Sequence, residues 1–339
     1  MRLLITRCIL LVFIFMPLTG WCEEVLPSWN DGPARRAILD FVKKTTTEGS
    51  PDFVPAEDRI AVFDNDGTLI CEQPLYIQFA YTLDRIKELG SLHPEWKNME
   101  PFRSVLDGRL TKLDSRDLEK PFFDCVLATC DNLAPDESSR AVRNWLATAR
   151  HPLTGRLYTE TVYQPMLELL GFLRANHFKT FIVSGGGIEF LRVYTNTLYA
   201  IPPEQVVGSN TKMRFENSEI IITPEIDFFN NGPGKPMGIY KNIGRRPIMA
   251  IGNSDGDLEM LQWTTAGAGP RLGAIIHHDD ARRETAYDRD SLIGKLDKAL
   301  DEAPKHQWTV VSMKDDWKTI FPISGNQTHN DAKGDNSTD

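Results

Sequence analysis

The chain has 339 residues, 41% of them hydrophobic and 25% charged, a globular balance that can bury one main core with an insertion. Its formal net charge of −9 argues against a general affinity for nucleic acid or anionic membranes, because phosphate-bearing surfaces reward clustered Lys and Arg. A small anion can still be held by a local positive site.

At the amino terminus, Arg2 and Arg7 precede the apolar run from Ile9 to Leu18, and Gly20 and Cys22 are small residues at positions suited to cleavage before Glu23. Residues 1–22 therefore read as a signal peptide, with the mature protein exported to the periplasm or secreted. The run falls short of the roughly 18 apolar residues that a spanning helix wants, so no stable membrane insertion is expected after cleavage. Trp21 is bulky where a lipid-modified Cys22 would need a small neighbour. Beyond the leader stand Cys71, Cys125 and Cys130, an odd number; Cys125 and Cys130 either bridge locally or stay as buried thiols.

Asn30 and Asp31 offer an N-cap, Pro33 a first turn, and Ala34, Ile38, Phe41 and Val42 recur at helical spacing, which predicts a short docking helix. The uninterrupted apolar run Ile60-Ala61-Val62-Phe63 suits a parallel strand buried on both faces. It delivers the chain directly into Asp64. Similar runs occur at 181–183, 248–251 and 273–276. This alternation with helical patterns predicts an α/β fold with a doubly wound, Rossmann-like parallel sheet, whose loops at the carboxyl ends of the strands gather into one crevice. Residues 74–159 carry helical patterns at 75–89, 100–106 and 137–149 and no convincing strand, and read as a helical cap inserted into a core of residues 23–73 and 160–324. Thr211 to Phe215 and Glu219 to Ile222 flank Glu216-Asn217-Ser218 as a β-hairpin with a structural job. Residues 325–339 lack apolar anchors and read as a disordered tail. The tryptophans, Trp29, Trp96, Trp145, Trp263, Trp308 and Trp317, suit packing better than a cation cage.

The strongest chemical signal is the pair of carboxylates Asp64 and Asp66, set at the end of a buried strand and followed by Gly67-Thr68. An ordinary Asp/Gly turn would not be expected to recur with matching Ser, Lys and acidic loops downstream. Asp64-Asn65-Asp66-Gly67-Thr68-Leu69 resembles the first motif of haloacid dehalogenase superfamily phosphatases. Ser184 in Val183-Ser184-Gly185-Gly186-Gly187 resembles the second, Lys235 in Gly234-Lys235-Pro236 the third, and Gly252-Asn253-Ser254-Asp255-Gly256-Asp257 the fourth. The likeness covers about Arg59 to Trp263 and is nearest to the phosphoserine phosphatase-like branch.

The resemblance implies a phosphomonoester hydrolase acting on a small-molecule phosphate monoester. Asp64 would be the nucleophile that forms an aspartyl-phosphate, and Asp66 the acid and then the base. Thr68, Ser184, Gly185 and Lys235 would contact the phosphoryl group, where positioning and electrostatics do most of the catalysis. Magnesium is the implied cofactor, held by Asp64, the Asp66 carbonyl, Asn253 and Asp257, with Asp257 also orienting Lys235. Asn253 stands where the family usually has an aspartate, which removes one negative charge from that shell.

Weaker hints near the predicted mouth are Glu72-Gln73 and His277-His278-Asp279-Asp280, for which a solvated loop is the plainer reading. Two other functions compete: hydrolysis of a carbon–halogen or carbon–phosphorus bond on the same scaffold, and phospho-ligand binding without efficient turnover. Asp66 counts against a dehalogenase, which has no alkoxide to protonate. Oligomeric state is not encoded in any pattern found.

Overall fold

The computed structural model describes residues 24–109, 119–130 and 133–323, so the leader at 1–22 and the tail at 325–339 lie outside the described residues. Seven strands form one sheet: β1 (Ile60–Phe63), β2 (Lys179–Gly187), β3 (Val206–Glu216), β4 (Glu219–Phe228), β5 (Met249–Gly252), β6 (Leu272–His277) and β7 (Thr309–Ser312). Their order is β4-β3-β2-β1-β5-β6-β7, with every pair parallel except β3 and β4. The chain leaves β1 towards β2 on one side and later returns to β5 on the other. That reversal makes the carboxyl end of β1 the switch point of the sheet, where a doubly wound fold opens a crevice.

β1 shows why the apolar runs become strands. Ala61 and Phe63 face one buried cluster with Ile38 and Phe41 of helix α1 (Pro33–Thr46) and Leu169 and Leu170 of helix α6 (Gln164–Ala175). Ile60 and Val62 face the other, with Ile239 of helix α9 (Gly234–Ile243) and Met260 and Leu261 of helix α10 (Leu258–Thr265). Alternate side chains thus enter opposite apolar layers, and all four residues are buried. Helix α1 starts at Pro33 as expected, but Gly32 rather than Asn30 or Asp31 is the N-cap. Proline at the first helical position has no amide to leave unpaired.

Between β1 and α6 lie helices α2 (Ile77–Leu89), α3 (Phe102–Leu106), α4 (Glu119–Cys130) and α5 (Pro135–Leu146). Three match the expected helical patterns within a few residues; α4 was not anticipated. Its apolar residues are not confined to one stripe, since two sides are occupied: Phe122 meets Phe79 of α2 edge-on at 4.7 Å, while Phe123 meets Phe229 at 5.2 Å. Apolar residues spread around a helix leave no clear 3.6-residue signal. The thiols of Cys71 and Cys125 are free and buried.

The hairpin extends beyond its expected bounds, and its first residues belong to the core sheet. Val206 and Val207 pair with β2, after which the strand leaves the sheet and runs antiparallel to β4. β7, a short edge strand with only Val311 buried, was also not anticipated, since one-sided burial leaves little apolar signal.

The two ends of the described chain are clasped together. Asn30 donates its amide to the Asp316 carbonyl at 2.7 Å, Lys318 donates to the Ser28 carbonyl at 2.8 Å, and the fully buried Trp29 and Trp317 meet edge-on at 6.0 Å. Trp29 Nε1 also donates to the Pro165 carbonyl, tying the clasp to α6. Truncating a buried aromatic of this size removes contacts on all sides; Trp317→Ala is expected to cost about 3–5 kcal/mol in urea unfolding, and a loss below about 1 kcal/mol would show that the clasp is not cooperative with the core.

Candidate active site

The turn after β1 is wound around one backbone oxygen. The Asn65 carbonyl accepts from the amides of Thr68, Leu69 and Ile70, and Gly67 donates to the Ile70 carbonyl at 2.8 Å. Gly67 has φ +75°, and a Cβ there would overlap the Asn253 amide and the Glu72 carboxylate. Only glycine fits. The Asn65 side chain turns back into the protein, donating to the Tyr194 hydroxyl and accepting from the Tyr199 hydroxyl, both at 3.1 Å. With Asn65 pinned behind, the flanking Asp64 and Asp66 face the crevice and line the same pocket.

Lys235, in the first turn of α9, is buried and sits between two carboxylates: its Nζ donates to Asp64 Oδ1 at 2.7 Å and to Asp257 Oδ1 at 2.6 Å. Burial alone would lower its pKa; the charges of Asp257 and Asp64 more than offset this and raise it. Lys235 is therefore held cationic. The other Asp257 oxygen accepts from the backbone amides of Asn253 and Ser254 at 3.0 and 3.1 Å and from the Ser254 hydroxyl at 3.3 Å. Both Asp257 oxygens are thus occupied behind the lysine, which places Asp257 as the partner that positions Lys235 and leaves it no oxygen free to face the crevice. Asp255 does neither job; its carboxylate accepts from the amides of Asp297 and Ala299, at the start of helix α11 (Lys298–Glu302).

Burial pushes the Asp64 carboxyl up to about 7, with Asp257 and Asp66 adding to the rise and Lys235 opposing it. The Lys235 ammonium, itself fixed by Asp257, favours the ionised form of Asp64. Burial also pushes Asp66 up to about 6, against the opposing effects of Asn65 and Lys235. Its Oδ1 is buried without a hydrogen-bond partner.

Ser184 and Gly185 line the crevice beside the two aspartates. Asn230 Nδ2 donates to the Ser184 carbonyl at 2.9 Å, and Ser209 Oγ donates to the Gly185 carbonyl at 2.8 Å, so the second motif is braced by the loops around β3 and β4. Thr68 differs from expectation. It is fully buried, its hydroxyl donates to Asn253 Oδ1 at 3.1 Å, and it is not among the pocket-lining residues. The first-motif threonine here braces the fourth motif.

Glu72, a minor hint in the sequence, proves central. Its buried carboxylate accepts from Asn253 Nδ2 at 2.7 Å and from the Tyr287 hydroxyl at 2.6 Å, in a gap that a Cβ at Gly67 or Gly294 would fill. Burial raises its pKa well above the ordinary value, the Tyr287 hydrogen bond opposes the rise, and Asp66 and Asp64 add to it. His278 supports the same turn from behind: Nε2 lies 2.7 Å from the Gly67 carbonyl, which can only accept, so this nitrogen carries a proton. Its Nδ1 lies 3.2 Å from Glu284, whose other oxygen accepts from Cys71 Sγ at 3.0 Å. His277, Asp279 and Asp280 stay outside: they pair with Asp288, Ser312 and Arg283. Tyr194, Tyr199, Asn230, Glu284 and Tyr287 escape sequence reading because a single polar residue without a motif around it carries no spacing signal.

Asp64, Asp66 and Glu72 crowd negative charge into one place, each raising the pKa of a neighbour, with the Lys235 ammonium beside them already shared with Asp257. Together with the unpartnered Asp66 oxygen, this oxygen-rich set fits a hard divalent cation such as magnesium. Among the described residues no three His, Cys, Asp or Glu side chains form a ready-made metal cluster, so carbonyl oxygens would have to complete the shell.

All four motifs sit on the loops at the carboxyl ends of β1, β2 and β5 and at the start of α9, around the switch point of a doubly wound sheet. The fold is the expected α/β one, a doubly wound and mostly parallel sheet. No family model and no curated protein matches the chain. Among solved structures, it is similar to a conserved functionally unknown protein from Anaerococcus prevotii, at 17% identity and TM-score 0.49 over 72% of this chain and 85% of that one. It is also similar to a probable phosphoserine phosphatase from Vibrio cholerae, at 17% identity and TM-score 0.36 over 76% and 68% of the two chains. A phosphoserine phosphohydrolase-like protein from Francisella tularensis shares 16% identity at TM-score 0.35 over 66% and 89%.

The raised Asp66 carboxyl makes stability depend on pH. Folding favours its protonated form, so its contribution is complete below the ordinary value of 3.8 and is lost as pH rises through about 6. With a chelator present, the stability of the wild type relative to Asp66→Asn is expected to fall between about pH 4 and pH 6; a difference that stays flat, measured by urea unfolding at each pH, would remove Asp66 from the buried site.

Proposed function

We propose that this protein hydrolyses small phosphate monoesters through an aspartyl-phosphate on Asp64, with magnesium as cofactor. The observation that carries the reading is the Asp64 carboxylate held at 2.7 Å by a buried, cationic Lys235 on the floor of a pocket, with the Asp66 carboxyl beside it on the same wall. Such a carboxylate is pre-aimed and cannot rotate away, which is what in-line attack on phosphorus requires.

In the first half-reaction an Asp64 oxygen bonds to phosphorus, the bond from phosphorus to the ester oxygen breaks, and the departing alkoxide takes the proton of Asp66. The pKa of Asp66, raised by burial to about 6, keeps a share of it protonated at mildly acidic pH. In the second half-reaction Asp66, now ionised, accepts a proton from a water molecule whose oxygen attacks phosphorus, and the phosphorus bond to Asp64 breaks to release inorganic phosphate. Lys235, the Ser184 hydroxyl and the Gly185 amide offer positive partners to the phosphoryl oxygens, while the Gly186 and Gly187 amides are taken by Ser184 Oγ and Gln78 Oε1.

The Asp64 carboxylate, the Asp66 carbonyl and Asn253 Oδ1 would hold the magnesium, which when bound neutralises charge on the transferring phosphoryl group. Asn253 contributes no charge of its own, but its amide nitrogen ties it to the Glu72 carboxylate, so an acid still stands next to that position. The inserted helices act as the cap over the crevice, and residues 1–22 as the leader that exports the enzyme.

Phosphate release from simple esters is expected in magnesium and not in chelator. Asp64→Asn should reduce it by about 10³-fold or more, and Asp66→Asn by roughly 10²–10⁴-fold. Activity retained in Asp64→Asn would reject the nucleophile; ester binding without release in the wild type would favour a binding protein.

A further inference from the structure

Resting on that reading of the site, we propose that the leaving-group side of the pocket selects an uncharged aromatic or branched apolar alcohol, so that the substrates are aryl or aralkyl phosphates. The cavity has a volume of about 490 Å³, in the range of small-molecule sites. Its lining is of two kinds. Asp64, Asp66, Glu72, Ser184 and Lys235 supply the charged and hydroxyl groups; Phe122, Phe123, Val126, Leu127, Phe229 and Leu292 supply apolar walls.

These apolar walls come from three separate stretches: α4, the residue that follows β4, and the loop before Gly294. Their arrangement is built, since Phe123 and Phe229 meet edge-to-face at 5.2 Å and Phe122 is fixed against Phe79 at 4.7 Å. Phe229 remains 37% and Leu292 45% exposed, apolar area that a ring or branched chain in the cavity would take out of water. The neutral polar side chains Gln78, Asn210, Thr211 and Asn231 complete the lining, with Gln78 Oε1 accepting from the Gly187 amide at 2.8 Å. They suit a hydroxyl or amide on the alcohol.

Against the walls formed by the described residues, a phosphorylated amino acid would instead set an ammonium and a carboxylate beside phenyl rings. Burying such charges without partners costs several kcal/mol, and the nearby Lys235 is already shared between Asp64 and Asp257. The walls therefore discriminate by repelling charge as well as by attracting rings.

The test compares benzyl phosphate, phosphoserine and phosphocholine with the full chain in magnesium, alongside Phe229→Ala and Leu292→Ala, two truncations at half-exposed positions. The wild type is expected to favour benzyl phosphate in kcat/KM by about 10²-fold or more, and each truncation to reduce that preference about tenfold, mainly through KM. Equal or better use of either charged ester, or a preference untouched by both truncations, overturns the proposal while leaving hydrolysis intact. Calorimetry with benzylphosphonate, which cannot be hydrolysed, separates the two readings. Binding weakened about tenfold by each truncation in a protein that releases no phosphate keeps the pocket and rejects the catalysis; no binding to the wild type rejects the pocket.

Discussion

A lysine ammonium buried between two carboxylates is the contact on which the site depends. Lys235 arrives from α9, Asp64 from the end of β1 and Asp257 from the turn after β5, so one side chain joins three loops that are far apart in sequence. Buried charges of this kind are costly to desolvate, and removing one partner of such a group typically costs about 3–5 kcal/mol. The arrangement is tolerable because every oxygen of Asp257 is used: one by Lys235, the other by two backbone amides and a hydroxyl. Folding therefore sets the protonation and the aim of Asp64 together.

The scaffold serves that contact. β1 lies at the middle of the sheet with both faces buried, so its carboxyl end is the least mobile place from which to present a carboxylate. Behind the turn, Asn65 is gripped by two tyrosine hydroxyls and the Gly67 carbonyl by His278. In front, Glu72 and Thr68 both reach Asn253, one through its amide nitrogen and the other through its amide oxygen. This pairing gives a physical meaning to the asparagine at a position where an aspartate would be usual. A second carboxylate beside Glu72 would repel it, whereas an amide donates to it.

The core strands and the Asp64–Thr68 turn are legible in the sequence, because burial on both faces leaves unbroken apolar runs and because two aspartates ending such a run have few structural uses. Helix α4 is not legible, since it packs on α2 with one side and walls the cavity with another, which erases its periodicity. Glu72 shows a different limit. Its proximity to Asp64 in sequence says nothing of depth, and only the fold reveals that two glycines with positive φ, Gly67 and Gly294, clear space for its carboxylate. The hairpin likewise reads as a local device, yet the fold turns its inner half towards the crevice, where Ser209 braces Gly185. Thr68 belongs with these: its place in the motif suggests a phosphate contact, and its burial assigns it to Asn253 instead.

The central claim is that Asp64 is the atom donor in a covalent step. Rapid acid quenching during turnover of a phosphate ester labelled on phosphorus, followed by peptide mapping, tests this most directly. The account predicts label on the peptide that contains Asp64, lost in Asp64→Asn. Turnover that leaves no labelled protein, or label on any other residue, would contradict it.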